Sequence, residues 1–285
     1  MKKVIITGAS GFVGTALQNM FIQNGYEVIA VQRTQLKDES VLLSIVEGSY
    51  AIINLAGANI INRWSDEYKK LLYSSRIDTT KAIVNAIQKS QNKPKILFST
   101  SAVGIYKNDK FYDETTKDTD LADDFLAHLC KDWENEAFRA KEFGVRVATF
   151  RFGIVMGEGG ALGKMLLPFK LGVGGTIGDG KQAFSFIHIS DLLNAYKFVL
   201  DNENLEGTFN LTAPKPTSNY GLTKALGKYL HRPTILPIPA FMLNLIFSEG
   251  AKVLTDGQSA IPSKLLESGF EFEYTNIEET IKNLV

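Results

Sequence analysis

The stretch VIITGASGFVGTALQNMF, residues 4–21, decides the fold class. Val4, Ile5 and Ile6 form a short run of β-branched apolar side chains, suited to a strand buried on both faces. Gly8, Gly11 and Gly14 follow, and Phe12, Val13, Ala16, Leu17 and Met20 recur at helical spacing. A strand, a glycine turn and a helix place backbone N–H groups and a helix N-terminus against a pyrophosphate. Glycines there remove the Cβ atoms that would keep phosphates away, and Gly14 lets helix and sheet approach closely. The spacing is G-x-x-G-x-x-G, which also occurs at ordinary strand-to-helix turns. Its place directly after an apolar strand favours a dinucleotide site.

Outward from this unit, Asn24-Gly25 stops the first helix and Tyr26 to Val31 reads as a second strand. A helical patch from Ser40 to Glu47 leads to a third strand, Ala51 to Leu55, and an amphipathic stretch runs from Ser65 to Ser90. Pro94 introduces a fourth strand, Lys95 to Ser99; a helix over Asp123 to Phe143 and a strand over Val145 to Arg151 follow. Strands alternating with helices of this length imply right-handed crossovers and a parallel sheet. His188 to Leu200 returns to helix and Gly207 to Leu211 to strand. Between them, Gly157 to Gly180 holds nine glycines in a run too apolar for a flexible linker. It reads either as a loop-and-helix segment folded over a site or as irregular packing between two lobes. Pro214, Pro216, Pro233, Pro237 and Pro239 then cut the tail into short elements. The expected organisation is a nucleotide domain over residues 1–165, with a return segment near 188–211, and a smaller lobe over 166–285.

With 285 residues, 45% hydrophobic and 22% charged, the chain has ample material for a core. Lys+Arg and Asp+Glu both number 31, so overall charge favours neither nucleic acid nor an anionic membrane as partner. A single cysteine, Cys130, allows no internal disulfide and fits a reducing compartment. The histidines, His128, His188 and His231, lack neighbours at metal-ligand spacing, so no metal site is expected. No apolar run reaches the ~18 residues of a membrane span. A cleavable signal would remove the glycine turn, and a cytoplasmic location is expected.

An acidic residue commonly ends the second strand of a dinucleotide fold, about twenty residues past the turn, and holds the adenosine ribose. Here that strand ends Val31-Gln32-Arg33, with no acid. A carboxylate would repel a 2′-phosphate, whereas a guanidinium binds one bidentately, so Arg33 points to NADP(H). The plainer alternative is a solvated surface arginine.

Taken together, TGASGFVG, NLAG (Asn54 to Gly57), STSAVGIY (Ser99 to Tyr106), Arg151-Phe152-Gly153 and FIHISDL (Phe186 to Leu192) resemble the extended short-chain dehydrogenase/reductases. NLAGANI, Arg63-Trp64, SSRIDTT, DFLAHLCKDWE, GIVMGEGGAL and SFIHISDL resemble, more closely, an atypical branch labelled nucleoside-diphosphate-sugar epimerase-like, some members of which are labelled cell-division inhibitor homologues. NLTAPKPTSN and IPSKLLESGFEF resemble that branch's tail, so the match covers nearly the whole chain. The resemblance implies an α/β fold: a Rossmann doubly wound parallel sheet binding NADP(H), with a smaller C-terminal α+β lobe. It implies that Gly8, Gly11, Phe12, Val13 and Gly14 line the pyrophosphate and that Gln32 and Arg33 face the adenosine ribose and its phosphate. Leu55 and Ala56 would lie along the cofactor, and Arg76 would reach a cofactor phosphate. On its own spacing, Arg76 reads as an exposed charge on a helix whose apolar face is Leu72, Ile77 and Ile83; the cofactor role comes from the resemblance. Homodimers through the helices near 65–90 and 123–143 are a further implication.

Hydride transfer at a carbinol carbon needs a proton acceptor at the oxygen. The wider family uses a tyrosine, a lysine four residues later and a serine. An unperturbed phenol near pKa ~10 is a poor base, and a neighbouring ammonium favours the phenolate. Ser101 matches the serine, with a hydrogen bond to the backbone turn as its structural alternative. Anchoring on Glu134 puts Leu126 at the tyrosine position and Cys130 at the lysine position, so the pair is absent. Tyr106, His128 and Cys130 are candidate substitutes, each with a structural alternative. Asp113 and Glu114 resemble an element that approaches substrate hydroxyls, or are a solvated loop. His188 and Asp191 read as docking the following helix with Ser190 as its N-cap, and Arg63 and Trp64 as a cation–aromatic wall or a helix start. Two functions remain: an epimerase-like oxidoreductase acting on a small polar substrate, nucleotide-linked or free, or a non-catalytic NADP(H)-binding redox sensor or assembly partner.

Overall fold

The computed structural model describes residues 1–285. Six parallel strands form the central sheet: β1 (Lys3–Thr7), β2 (Glu27–Val31), β3 (Ala51–Asn54), β4 (Ile96–Ala102), β5 (Arg146–Phe152) and β6 (Gly207–Leu211). Their spatial order is β2-β1-β3-β4-β5-β6. The helices between them are α1 (Phe12–Gln23), α2 (Glu39–Val46), α3 (Asp66–Lys89), α4 (Phe125–Phe138), α5 (Gly160–Lys170) and α6 (Ile189–Asp201).

Alternation along each strand sends side chains to two separate cores. Val4, Ile6, Ile53, Phe98 and Phe150 pack with Leu17 and Phe21 of α1 and with Leu192, Tyr196 and Val199 of α6. Ile5, Ile52, Leu97 and Val147 face the other way, against Leu42 and Val46 of α2, Ile83, Val84 and Ile87 of α3, and Ala137 of α4. Helices thus cover both faces, as parallel strands made of continuous apolar residues require. The fold is a Rossmann-like doubly wound α/β sheet.

Local chemistry sets the element ends. Ser65 Oγ accepts the Tyr68 amide at the start of α3, and Asp124 accepts the Ala127 amide at the start of α4. Each cap contributes about 1 kcal/mol. The cap expected at Ser190 is instead the imidazole of His188, whose Nδ1 accepts the Ser190 amide at 3.1 Å. The expected helix to Phe143 ends at Phe138 and tightens into a 3₁₀ turn over Arg139–Phe143. β4 runs to Ala102, beyond its expected end, because Thr100, Ser101 and Ala102 continue the ladder with Phe150, Arg151 and Phe152. Ser101 therefore lies within a strand.

A further core gathers Leu162 and Phe169 of α5, Leu222 and Leu226 of α7 (Asn219–Leu230), Phe184 and Phe186, and Ile277 and Ile281 of the helix Ile277–Leu284. A last apolar helix, α8 (Ala240–Phe247), buries none of its residues. Within the glycine-rich run, α5 starts at Gly160, and Gly157 and Gly160 lie against the ring of Phe12. An added Cβ would sit 2.7 Å from Phe12 Cζ at Gly157 and 2.8 Å from Cδ1 at Gly160.

Candidate functional site

β1 lies between β2 and β3, so the chain leaves its carboxyl end in opposite directions on either side and a crevice opens there. Gly8 turns the chain out of β1 with φ +67°, and a Cβ on it would stand 2.8 Å from Leu55 O. A Cβ on Gly14 would stand 2.3 Å from Gly8 O and 2.8 Å from Ala9 Cα, so α1 rests directly on the turn. Gly11 donates to Gly8 O at 3.0 Å and is the N-cap of α1, with no side chain capping the helix. The amides of Phe12, Val13 and Gly14 find no acceptor within the chain. Unpaired donors at the positive end of a helix, with no side chain above them, make an anion site.

The loop after β3 forms the opposite lip. Thr7 Oγ donates to Asn54 Oδ1 at 2.7 Å and accepts the amides of Leu55 and Ala56 at 3.2 Å. Asn54 Nδ2 donates to Thr80 Oγ of α3 at 2.8 Å, which also accepts Trp133 Nε1 of α4 at 2.9 Å. This buried chain fixes Leu55 and Ala56 beside the glycine turn. Arg76 reaches the same loop: its Nη2 donates to Ala58 O at 3.0 Å and its Nη1 to Leu72 O at 3.1 Å. Its guanidinium fills the place where Gly57 has no side chain and lies 5.3 Å from the Trp133 ring centroid. No carboxylate pairs with it, and burial lowers its pKa. Arg76 is thus neither exposed nor neutralised. Gln32 and Arg33 follow the β2 residue registered on Thr7 and are exposed, with no ion pair on Arg33.

Ser101 belongs to a different cluster. Its Oγ donates to Glu134 Oε1 at 2.7 Å, and the residue is 1% exposed. Glu134 also receives Arg151 Nε at 2.7 Å and Nη2 at 2.8 Å, a bidentate pair in which both residues are buried. Arg151 Nη1 continues to Tyr106 Oη at 2.8 Å, whose single hydrogen is shared between Asn210 Oδ1 and Asp113 O, both 3.0 Å away. Burial alone would lower the Arg151 pKa; the hydrogen bonds and charge of Glu134 overcome it and hold the guanidinium above its ordinary range. Burial raises the Tyr106 phenol, with Arg151 pulling the other way.

The remaining substitutes are equally committed. Cys130 is buried, its thiol pushed up to about 11 by burial and by Glu134. His128 is exposed beside Asp123. Leu126 packs near Gly104, where a Cβ would lie 3.7 Å from its own. Glu114 accepts the amides of Asn210 and Lys264, and Asp113 accepts Thr115 and Ser263, so both tie the loop to the C-terminal segment. Asp191 accepts the amides of Glu273 and Tyr274. Arg63 and Trp64 form no shared wall: Trp64 is buried edge-on to Phe125, while exposed Arg63 donates to Leu245 O. Sequence reading missed Thr7, Thr80 and Trp133, and the seating of Gly157 and Gly160 on Phe12. These residues stood inside recognised motifs, but hydrogen-bond pairings across 26 to 53 residues leave no periodic signal that would join them.

Fold and turn together define the class, a Rossmann-like protein whose helix N-terminus opens at the sheet's switch point. The chain belongs to the NAD dependent epimerase/dehydratase family, whose model matches residues 4–212; a domain of unknown function, DUF1731, matches residues 238–284. It is 35% identical to epimerase family protein YfhF of Bacillus subtilis, over 99% of this chain and 97% of that one. Among solved structures it is similar to human epimerase family protein SDR39U1 with NADPH, at 32% identity and a TM-score of 0.90, covering 99% and 98% of the two chains. A nucleoside-diphosphate sugar epimerase from Corynebacterium glutamicum aligns at 28% identity with a TM-score of 0.79, over 99% of this chain and 59% of that one.

Proposed function

We propose that this chain is an NADP(H)-binding, epimerase-like oxidoreductase acting on a small polar substrate, nucleotide-linked or free, without the usual Tyr-Lys pair. The observation that carries this reading is the uncapped N-terminus of α1, with three free amides above a turn that admits no side chain. Gly8, Gly11, Phe12, Val13 and Gly14 would hold the pyrophosphate, with Arg76 supplying the positive charge from the opposite lip. Gln32 and Arg33 would receive the adenosine ribose and its 2′-phosphate, and Leu55 and Ala56 would flank the cofactor. The NADPH bound by the human relative supports the choice of nucleotide. In this reading residues 1–165 and 188–211 bind the nucleotide, and the remainder frames the substrate. When bound, the nicotinamide supplies or accepts a hydride. The chain's own part is to orient it and exclude water, since neither Leu126 nor buried Cys130 can move a proton at neutral pH.

One observation favours the second reading, a non-catalytic NADP(H) sensor. The Ser101 hydroxyl hydrogen is given to Glu134 and is not free to polarise a substrate oxygen. Titration with NADPH and NADH, watched by nucleotide fluorescence, tests the binding. Arg33→Asp should weaken NADPH at least about tenfold and leave NADH unweakened, as expected for one charge-assisted contact. Arg76→Met should weaken both alike. No saturable uptake of either nucleotide by the wild type would remove both readings. Substrate-dependent NADPH oxidation that disappears in Ser101→Ala would retire the sensor; stoichiometric binding without turnover across carbonyls and sugar nucleotides would favour it.

A further inference from the structure

The overall charge balance hides a local imbalance. Residues 159–178 and 219–248 contain Lys164, Lys170, Lys224, Lys228 and Arg232 and no aspartate or glutamate, and of these only Lys228 is paired, with Glu278. The structure brings these two segments together. Arg232 Nε donates to Lys170 O, the Gly178 amide to Ile238 O, and the Ile238 amide to Thr176 O. Gly175 sits so close to Leu236 O that it has no room for a Cβ, and Ala240 at the head of α8 lies beside Gly178.

The same joined segments carry most of the chain's open apolar side chains. Leu167 and Leu171 are 63% and 69% exposed, Ile235 78%, Phe241 64% and Leu245 71%. Val173, Leu236, Met242 and Ile246 are also exposed. Phe241 and Leu245 stand one helical turn apart, as do Met242 and Ile246, so α8 presents one continuous apolar face outward. Exposed apolar side chains gathered in this way, beyond scattered single residues, mark interaction surfaces. Exposed Lys164, Lys170 and Arg232 border them.

We propose that this face, α8 with the ends of α5 and the 232–238 strand of chain, docks on the surface of a membrane containing anionic lipid. An apolar face edged with lysine and arginine is the pattern of a helix lying in the headgroup layer. The charge distribution separates this occupant from a second copy. A two-fold interface brings the same patch against itself, and this patch would oppose Lys164, Lys170 and Arg232, while the adjoining acids Asp179 and Glu249 are already paired with Lys181 and Lys69. No helix of the chain is long and apolar enough to cross a membrane, so contact would be superficial.

The test is co-sedimentation of the full chain with vesicles of phosphatidylcholine alone and with about half phosphatidylglycerol. The wild type is expected to partition onto the anionic vesicles and to be released several-fold as salt rises from about 0.1 to about 0.5 M. Two surface variants, Phe241→Ser with Leu245→Ser, and Lys164→Glu with Lys170→Glu and Arg232→Glu, should each lower partitioning at least about tenfold with unchanged thermal midpoints. Failure of the wild type to bind anionic vesicles overturns the proposal. So does partitioning that both variants retain, or self-association in ultracentrifugation that Phe241→Ser with Leu245→Ser abolishes while vesicle binding is absent. Nucleotide binding in the same variants stays intact, which separates this outcome from the fate of the cofactor site.

Discussion

Glu134 and Arg151 should behave as one unit whose halves are worth more together than apart. The carboxylate accepts both Arg151 Nε and Nη2, and Ser101 Oγ, in a place where both charged residues are buried. Removing one partner strands the other, which typically costs about 3–5 kcal/mol; removing both leaves no buried charge. Glu134→Leu leaves the Arg151 guanidinium with only Tyr106 and takes away the acceptor of Ser101, so about 3–5 kcal/mol is expected. Arg151→Met leaves the buried Glu134 carboxyl with only Ser101 as donor and should cost about 3–5 kcal/mol. In the double variant Glu134→Leu/Arg151→Met, Tyr106 keeps Asn210 and Asp113 O while Ser101 loses its acceptor, an orphan worth about 1–3 kcal/mol. The sum of the two single losses should therefore exceed the double by about 3 kcal/mol or more. Urea unfolding followed by tryptophan fluorescence and circular dichroism measures all three, provided the slopes agree with wild type. Single losses below about 1 kcal/mol, or additivity within about 0.5 kcal/mol, would refute the account of a buried, mutually dependent pair. Unchanged stability with abolished turnover would instead place Glu134 on a proton path.

Gly14→Ala should push α1 away from the turn, because its Cβ would meet backbone atoms of Gly8 and Ala9 that cannot rotate aside. A loss of about 1–3 kcal/mol in urea unfolding, with NADPH affinity falling further than for Arg33→Asp, is the expected pair of results. Cys130 should resist thiol reagents in the folded protein at pH about 8, since burial and Glu134 push its pKa to about 11. Labelling should follow unfolding with increasing urea, and rapid stoichiometric labelling of native protein would contradict the packing. Burial lowers the His188 pKa, Nδ1 accepting from Ser190 and Nε2 facing Asn283 Oδ1. The unfolded state therefore takes up its proton first as pH falls through the ordinary imidazole value of 6.5, and the stability His188 contributes is present above that pH and lost below it. Thermal midpoints should fall more between about pH 7.5 and about pH 5 for wild type than for His188→Asn, which keeps a capping acceptor; parallel slopes would dismiss the effect.

Sequence by itself determined the layered fold, because its determinants are local. A β-branched run, the glycines at 8, 11 and 14, and caps such as Ser65 act on neighbours within one or two turns and leave a pattern that can be read. Repetition of that pattern then implied a parallel sheet and located its switch point. Tertiary structure alone decided what Ser101 touches, what Arg76 rests on, and which side chain caps α6. Ser101 meets a carboxylate 33 residues away and Arg76 a carbonyl 18 residues away, while the α6 cap turns on which of two neighbouring side chains reaches the Ser190 amide. Net charge shows the same division. Counted along the chain it is zero, yet folding joins residues 170–178 to 232–240 and so brings Lys170 and Arg232 together, and electrostatic attraction depends on charges within about a Debye length of each other in space, whatever their separation in sequence.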